Sequence, residues 1–444
     1  NDSYRIKQGL TPEIVEKISE EKHDPAWMRE FRLKSLEIYN NMQVPDWGPS
    51  IDGLNMDNIA TYVRANTNMK GDWKDVPEEI KDTFDRLGIP KAERESLAGV
   101  GAQYDSELVY HNVRKEVADQ GVVYTDMESA LTGEYADMVH EHFMKLITPQ
   151  DHKFAALHGA VWSGGSFVYV PKGVNLEIPL QSYFRLNAAG AGQFEHTLII
   201  VDEGASLHFI EGCSAPKYNV ANLHAGAVEL FVAKNAKLRY STIENWSKNM
   251  YNLNTKRATV AEGGKIEWVS GSFGSHVSYL YPMSILNGER SSCEFTGITF
   301  AGAGQNLDTG MKVVHNAPGP EISVASTKAY MVQVSIMYLI AFELAYANGK
   351  MDEAECSRYT KMLEEIPEVI EEAIALESKC QFAASKLINA DSLLYIGRGL
   401  DYALSMEGSL KLKEISYIHS ESYAAGELKH GTISLITENM PVIA

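Results

Sequence analysis

Cysteine is scarce in this chain, which has four in 444 residues: Cys213, Cys293, Cys356 and Cys380. No two of them form a CxxC pair, and so few cysteines at such spacings do not make a disulfide framework. The same spacing argues against a zinc or iron–sulfur site built in advance by this chain alone. We therefore expect no resident metal ion.

Positive charge is also in short supply, with 40 Lys and Arg against 59 Asp and Glu, a formal net charge of −19. An excess of negative charge repels phosphate, so we expect no nucleic-acid partner. No stretch reaches 18 apolar residues, and no basic segment followed by an apolar one opens the chain. These absences predict no membrane association and a cytoplasmic location.

One short pattern is present five times between residues 170 and 295. Its copies begin at Val170, Val201, Val232, Val260 and Ile285, which are 31, 31, 28 and 25 residues apart. Each start is followed three positions later by Gly or Asn, residues that tolerate the positive φ of a tight turn. In the first four copies, apolar and polar residues then alternate, as in a strand with one buried face.

Repeats of this length are typical of solenoids, because one coil buries its apolar face only against the next. We therefore expect a mixed fold with a right-handed β-helix or β-solenoid core over residues 151–317. An antiparallel two-sheet sandwich remains the alternative.

The flanking regions have helical patterns. Thr11 and Pro12 are a helix start signal, and apolar spacing predicts further helices near 105–119 and 127–147, so residues 1–150 are expected to be a helical region. After Pro318 we expect an incomplete α/β fragment over residues 318–444. Its predicted elements are a mostly buried helix over 326–348, an acidic helix over 352–378, a strand over 392–396, a helix over 402–417 and a strand near 440–444.

Cys213 is the first candidate for chemistry. It follows Gly212 at the expected edge of a coil, where a corner in the backbone would expose the sulfur. If Arg185, Lys217 and His224 face the thiol, they would lower its pKa, and the thiolate would accept sulfur or bind iron. The alternative is a buried, inert cysteine in a β core.

A second candidate lies near the C-terminus. Glu407, Lys411 and Glu414 are spaced four and three residues apart, so they share one face of the predicted helix. Carboxylates beside a lysine, with His430 further along, suit proton transfer between adjacent carbons of a sugar. The alternative is a solvated face with salt bridges.

Residues 1–317 closely resemble the SufB family, the scaffolds of the Suf iron–sulfur cluster assembly system. The resemblance is carried by the stretches at 25–34, 97–104 and 160–167, by EGCSAP at 211–216 and by NTKR at 254–257. It implies a helical N-terminal region, a β-helix core, a sulfur-accepting Cys213 and a transient iron–sulfur cluster, with reduced flavin as a further candidate cofactor. The implied partners are a SufD-like protein, a SufC-like ATPase, and a cysteine desulfurase or sulfur carrier.

The same resemblance suggests an inner path for sulfur along Arg185, Glu244, Trp246 and Lys256. At the position of Glu244 the family often has Gln. The part of the family that contains cluster ligands and docks the ATPase has no counterpart after residue 317.

Residues 319–444 resemble the isomerase (SIS) region of the glutamine–fructose-6-phosphate aminotransferase family, the glucosamine-6-phosphate synthases. The motifs are at 320–329, 397–399, 407–418 and 426–431. The resemblance implies that Glu414 is the proton-transferring base, His430 the ring-opening residue and Lys411 a group near the sugar oxygens. Val324 and Ser326 would line the sugar site, although the family's phosphate-binding loop is missing.

Two functions compete. The favoured prediction is a SufB-like scaffold that accepts sulfur and builds clusters with its partners. The alternative is a fragment of a sugar-phosphate isomerase or aminotransferase, or a chimeric chain with neither full activity, and the sequence does not decide whether the chain is an enzyme.

Overall fold

The computed structural model describes residues 2–44, 46, 48–65, 67–86, 97–316, 330–387, 390–416, 418–437 and 440–444. The chain forms two compact units, Asn1–Glu321 and Ile322–Ala444. Each unit is described separately below.

The first part of unit 1 contains both helices and strands. The helices are α1 (Pro12–Glu21), α2 (Ala26–Asn41), α3 (Glu78–Arg86), α4 (Lys115–Ala118), α5 (Met127–Thr132), α6 (Ala136–His142) and α7 (Lys153–Val161). The strands are β1 (Asp2–Arg5), β2 (Val63–Ala65), β3 (Gly99–Tyr104), β4 (Glu107–Val113) and β5 (Val123–Asp126). Helix α1 confirms its start signal, because the Thr11 side chain accepts a hydrogen bond from the Ile14 amide and Pro12 is the first helical residue.

The expectation that residues 1–150 are helical is wrong in part. The segment near 105–119, predicted as a helix, is mostly strand β4, which pairs antiparallel with β3 and is followed by the single turn α4. Asp105, with φ of 55°, makes the tight turn between the two strands. Strand β3 also pairs in parallel with residues 180–185, and this distant pairing is invisible to local periodicity.

Sixteen strands follow between residues 166 and 315. They are β6 (Ser166–Val170), β7 (Leu180–Arg185), β8 (Gly192–Gln193), β9 (His196–Val201), β10 (Ser206–Ser214), β11 (Asn222–His224), β12 (Ala227–Val232), β13 (Lys237–Asn245), β14 (Met250–Asn252), β15 (Thr255–Val260), β16 (Lys265–Phe273), β17 (Val277–Leu280), β18 (Met283–Leu286), β19 (Ser292–Phe300), β20 (Asn306–Thr309) and β21 (Lys312–His315).

These strands belong to three sheets. Sheet I has the order β19-β16-β13-β10-β7-β3-β4, sheet II the order β20-β17-β14-β11-β8, and sheet III the order β21-β18-β15-β12-β9-β6-β5. From β6 onward the chain enters sheets III, I and II in turn and then repeats the cycle. The pairs within this series are parallel, as between β10 and β13 or β12 and β15, so the antiparallel sandwich is wrong.

The turns of the repeat are where the sequence predicts them. Gly173, Gly204, Asn235 and Gly263 have φ of 73°, 66°, 56° and 64°. In the fifth copy the positive φ falls on Arg290 instead of the glycine two positions earlier. The first four copies therefore make the same local turn at the same position of the repeat.

The inward-facing residues of β10 and β13 in sheet I change from apolar to polar along each strand. Leu207 pairs with Leu238, and Phe209 pairs with Tyr240, whose ring is stacked on it at 5.6 Å between centroids. Such aromatic pairs add about 0.5–1.5 kcal/mol beyond burial of their area. Further along, Glu211 pairs with Thr242. One half of the interior is thus apolar and the other half polar.

Unit 2 contains α8 (Tyr330–Ala347), α9 (Glu353–Glu364), α10 (Ile366–Ile374), α11 (Glu377–Ser385), α12 (Leu400–Ser416), β22 (Ser392–Gly397), β23 (His419–Ala424) and β24 (Val442–Ile443). The strands form a parallel sheet in the order β23-β22-β24. The predicted strand, glycine turn and helix at 392–417 are confirmed. Strand β23 was not predicted, and the predicted acidic helix is three helices.

The first helix of unit 2 is not buried as predicted. Met337, Tyr338 and Leu344 of α8 are between 47% and 50% exposed. Apolar composition identified the helix correctly, but composition alone does not supply the neighbour that would cover it.

Candidate functional site

Cys213 lies inside unit 1, on the polar half of strand β10. Its side chain is 3% exposed, so the expectation of a sulfur exposed at a backbone corner is wrong. The alternation of the strand explains this: in β10 the odd-numbered residues point inward, and Cys213 is the last of them. Its Sγ lies 3.8 Å from Oε1 of Glu211, the preceding inward residue.

Glu211 is the centre of a buried charged group. Lys256, on β15 of sheet III, donates a hydrogen bond from Nζ to Glu211 Oε1 at 2.8 Å and another to Thr242 Oγ1 at 2.9 Å. The Tyr240 hydroxyl donates to Glu211 Oε2. A buried carboxylate with an ammonium and a phenol on its two oxygens is well compensated, which is the condition for burying charge.

Sheet II supplies His224 and Asn252, and Glu195 lies in the segment between β8 and β9. His224 Nε2 donates to Glu195 Oε1 at 2.5 Å, and its Nδ1 lies 2.7 Å from Asn252 Oδ1. Asn252 in turn donates from Nδ2 to Glu244 Oε2 at 2.7 Å. Residues from all three sheets therefore meet around the thiol. We call Glu195, Glu211, Cys213, His224, Tyr240, Thr242, Glu244, Asn252 and Lys256 the polar interior.

The pKa values in the polar interior follow from burial and pairing. Burial raises the pKa of the Cys213 thiol well above its usual range, and Glu211 and Glu244 add to the shift. This is opposite to the lowered value considered from the sequence. At neutral pH the group is a thiol and needs a base before it can act as a nucleophile.

The two carboxyl groups nearest Lys256, those of Glu211 and Glu244, have pKa shifts in opposite directions. Burial opposes ionisation of Glu211, but the charge and hydrogen bond of Lys256 outweigh it and lower the pKa. At Glu244 burial prevails and raises the pKa, because Lys256 Nζ lies 3.9 Å from its Oε1. Two carboxyl groups with opposite shifts beside one lysine are a suitable arrangement for moving a proton.

The structure brings together only part of the suggested sulfur path. Lys256 and Glu244 face the polar interior, and the Trp246 ring lies 4.6 Å from the ring of His224. Arg185 pairs with Ser214, not with Cys213, and its Nη1 donates to Ser214 Oγ at 3.2 Å. Because neighbours on a strand point to opposite faces, Arg185 lies on the other side of sheet I from the thiol.

Sequence reasoning missed five members of this group: Glu195, Glu211, Tyr240, Thr242 and Asn252. A signal for Tyr240 and Thr242 was present, since the period of two that predicts inward Leu238 also predicts inward residues 240, 242 and 244. Asn252 enters from sheet II and Glu195 from the segment between β8 and β9, and only the tertiary fold brings them close to the thiol.

The second candidate group forms in part. Lys411 Nζ lies 2.7 Å from Glu414 Oε2 and 3.5 Å from Glu407 Oε1 on helix α12. His430 is exposed in a short turn at Leu428–His430, and within the described residues no hydrogen bond joins it to Glu414. Val324 and Ser326 lie outside the described residues. The isomerase roles of Glu414, His430 and Lys411 stay predictions.

The described residues contain neither a cluster of metal ligands nor a membrane-spanning helix. No three His, Cys, Asp or Glu side chains in these ranges are grouped so that they could hold a metal ion. Among the same residues, no helix has both the length and the apolar character needed to span a membrane.

Comparisons with known families define the class. Residues 16–182 match the SufBD protein N-terminal region, and residues 184–331 match the SufBD core domain of the SUF system for FeS cluster assembly. The chain belongs to the SufBD family of iron–sulfur cluster assembly proteins. Residues 386–444 match the SIS domain family.

Individual relatives agree with this assignment. The iron–sulfur cluster assembly protein SufB of Bacillus subtilis is 51% identical over 323 residues, which cover 73% of this chain and 69% of the relative. An iron–sulfur cluster assembly SufBD family protein of Staphylococcus aureus is 50% identical over the same length, with the same coverage.

Among solved structures, the C-terminal domain of glucosamine-fructose-6-phosphate aminotransferase from Francisella tularensis is similar to part of the chain. It is 27% identical and aligns with 38% of this chain and 50% of its own, with a TM-score of 0.27. That score is too low to show a shared fold, so the SIS assignment rests on the family match. The reduced flavin expected from the sequence finds no support in any of these matches.

Proposed function

We propose that this protein accepts sulfur on Cys213 during iron–sulfur cluster assembly. The observation that carries the proposal is the placement of the thiol 3.8 Å from Glu211, which is itself bound to Lys256, in the buried interior of a SufBD core. Glu211 can take the thiol proton, and the Lys256 ammonium can stabilise the anion that results. The iron–sulfur cluster is cargo in this function.

The sulfur transfer is an exchange without net redox change. The Cys213 thiolate attacks the outer sulfur of a persulfide donor, R–S–SH, so that the Cys213 Sγ–S bond forms and the donor S–S bond breaks. The donor leaves as a thiolate and takes up a proton. The products are a Cys213 persulfide and the donor thiol.

The chain is proposed to have three domains, at 1–150, 151–317 and 318–444. The second of them is proposed to be a right-handed β-helix. Successive strands enter three parallel sheets in a repeating order, which supports a helical coil, and the right-handed sense is the one that parallel crossovers take.

The proposed partners are a SufD-like protein, a SufC-like ATPase and a cysteine desulfurase or sulfur carrier, on the basis of family membership. The sugar-phosphate alternative has no support beyond the SIS match.

Sulfur loading tests the proposal directly. The full chain is incubated with a cysteine desulfurase, its sulfur carrier and cysteine, and the added sulfur is located by peptide mass spectrometry. We expect Cys213→Ser to abolish loading and Cys293→Ser, a matched change on strand β19, to leave it intact. Equal loading of the Cys213→Ser protein and the unmodified chain would refute the proposal.

A further inference from the structure

A small cavity adjoins the polar interior and shares Thr242, Glu244 and Lys256 with it. We call it the side cavity. It has a volume of about 20 Å³ and is lined by Thr242, Glu244, Asn254, Lys256, Trp268, Val269, Ser270, Leu280, Tyr281 and Pro282. A cavity of about 10–15 Å³ or more holds one water molecule, provided that it offers two to four polar partners.

The lining of the side cavity offers those partners. Within the described residues, Oε1 of Glu244 and both Oδ1 and Nδ2 of Asn254 are buried without a hydrogen-bond partner. Lys256 has three N–H groups, of which Glu211 and Thr242 accept two. Donors and acceptors are both left over, which suits water better than an ion of either sign.

The outer wall of the side cavity reaches the surface. Val269 is 39% exposed and Tyr281 is 46% exposed, whereas Glu244 and Lys256 at the inner end are buried. The cavity therefore lies between the charged interior and bulk solvent.

A continuous series of groups joins the thiol to this cavity. Cys213 Sγ lies 3.8 Å from Glu211 Oε1, which accepts from Lys256 Nζ at 2.8 Å. Lys256 Nζ is 3.9 Å from Glu244 Oε1, a gap that one bridging water in the side cavity would close. The charged and titratable groups that face this series are Glu195, Tyr240 and His224.

We propose that the side cavity holds an exchangeable water molecule and is the route by which the Cys213 proton leaves for solvent when the thiol accepts sulfur. Glu211 takes the proton from the thiol, Lys256 passes one of its own protons to Glu244 and is reprotonated by Glu211, and Glu244 releases a proton to the cavity water. The number of protons on Glu211, Lys256 and Glu244 is the same before and after. This inference rests on the proposed sulfur-accepting function.

The test is to fill the side cavity. Ser270→Leu places a larger apolar side chain in the lining, and Ser292→Leu makes the same change on β19, away from it. The probe is cysteine hydropersulfide, a small donor, and the readout is the rate at which the full chain gains one sulfur at Cys213, measured by mass spectrometry in H₂O and D₂O. We expect Ser270→Leu to load about 10- to 100-fold more slowly, with a larger solvent isotope effect, and Ser292→Leu to load normally.

A second variant covers the case in which Ser270→Leu does not fold. Glu244→Gln keeps the shape of the side chain but cannot carry the proton, and we expect it to slow loading to a similar extent. Glu203→Gln, on an exposed turn, is its matched control.

The outcomes separate the two proposals. If the folded Ser270→Leu or Glu244→Gln protein gains sulfur at the wild-type rate while Cys213→Ser gains none, the proposed proton route is wrong. The proposed sulfur-accepting function then still stands. Loading of Cys213→Ser would instead refute the proposed function.

Discussion

The ion pair between His224 and Glu195 offers a quantitative test of the polar interior. Both side chains are buried, with His224 Nε2 2.5 Å from Glu195 Oε1 and Nδ1 2.7 Å from Asn252 Oδ1. Burial by itself disfavours the imidazolium, but the charge of Glu195 and these hydrogen bonds prevail and raise the pKa of His224 to about 9. We therefore predict how the stability of the fold changes as the pH rises.

The direction and size of the pH effect on stability follow from the difference between the His224 pKa in the folded and unfolded states. A group whose folded-state pKa lies above its unfolded value stabilises the fold fully below the unfolded pKa and stops doing so as pH rises through the folded pKa. For His224 the window runs from 6.5 to about 9. At about 1.36 kcal/mol per pKa unit, the stabilisation below this window is about 3 kcal/mol, and it is almost absent above about pH 10.

The assay is urea unfolding of the full chain and of the His224→Gln protein at intervals between pH 6 and pH 10, with the free energy of unfolding taken from midpoint and slope. The difference between the two proteins should shrink by about 3 kcal/mol as the pH rises. His208→Gln is the control, because His208 is only partly buried and its pKa is lowered, so its effect should not shrink in this window. A difference between wild type and His224→Gln that is constant with pH would refute the reasoning.

Two further predictions concern unit 1. Arg32→Met should cost about 3–5 kcal/mol in urea unfolding, because it leaves Asp24, 2.6 Å from Arg32 Nε and 1% exposed, as an unpaired buried charge; a loss below about 1 kcal/mol would contradict this. Gly165→Ala should cost more than about 4 kcal/mol, since the new Cβ would lie 2.0 Å from the His196 carbonyl oxygen at φ of +101°. Gly173→Ala, with φ of +73° and open space around it, should cost about 1–2 kcal/mol, and equal melting temperatures for the two alanine variants would show that backbone contact is not the cause.

Local features of the first four copies of the repeat were predictable to the residue. Gly204 and Asn235 occupy turns that need positive φ, and the alternation after them gives the strands β10 and β13. Both signals are local, because φ preference and side-chain alternation depend on a few neighbouring residues. The strand, glycine turn and helix of unit 2 were predictable for the same reason.

The segment near 105–119 was predicted as a helix but contains strand β4, because the hairpin of β3 and β4 pairs with β7, about 80 residues further along the chain. The site shows the same limit. Cys213 and Glu211 could be paired by their spacing of two, but Lys256 comes from another sheet, and its contact with Glu211 spans 45 residues.

The amino-acid sequence alone was enough to establish the family, the repeat with its turns, and Cys213 as the residue to examine, since each is written in contiguous residues. The burial of that thiol, the direction of its pKa shift and the partners around it were decided only by the tertiary structure. The physical reason is that desolvation and charge pairing depend on which strands of three different sheets meet. Residue spacing along the chain does not give the distances between those strands.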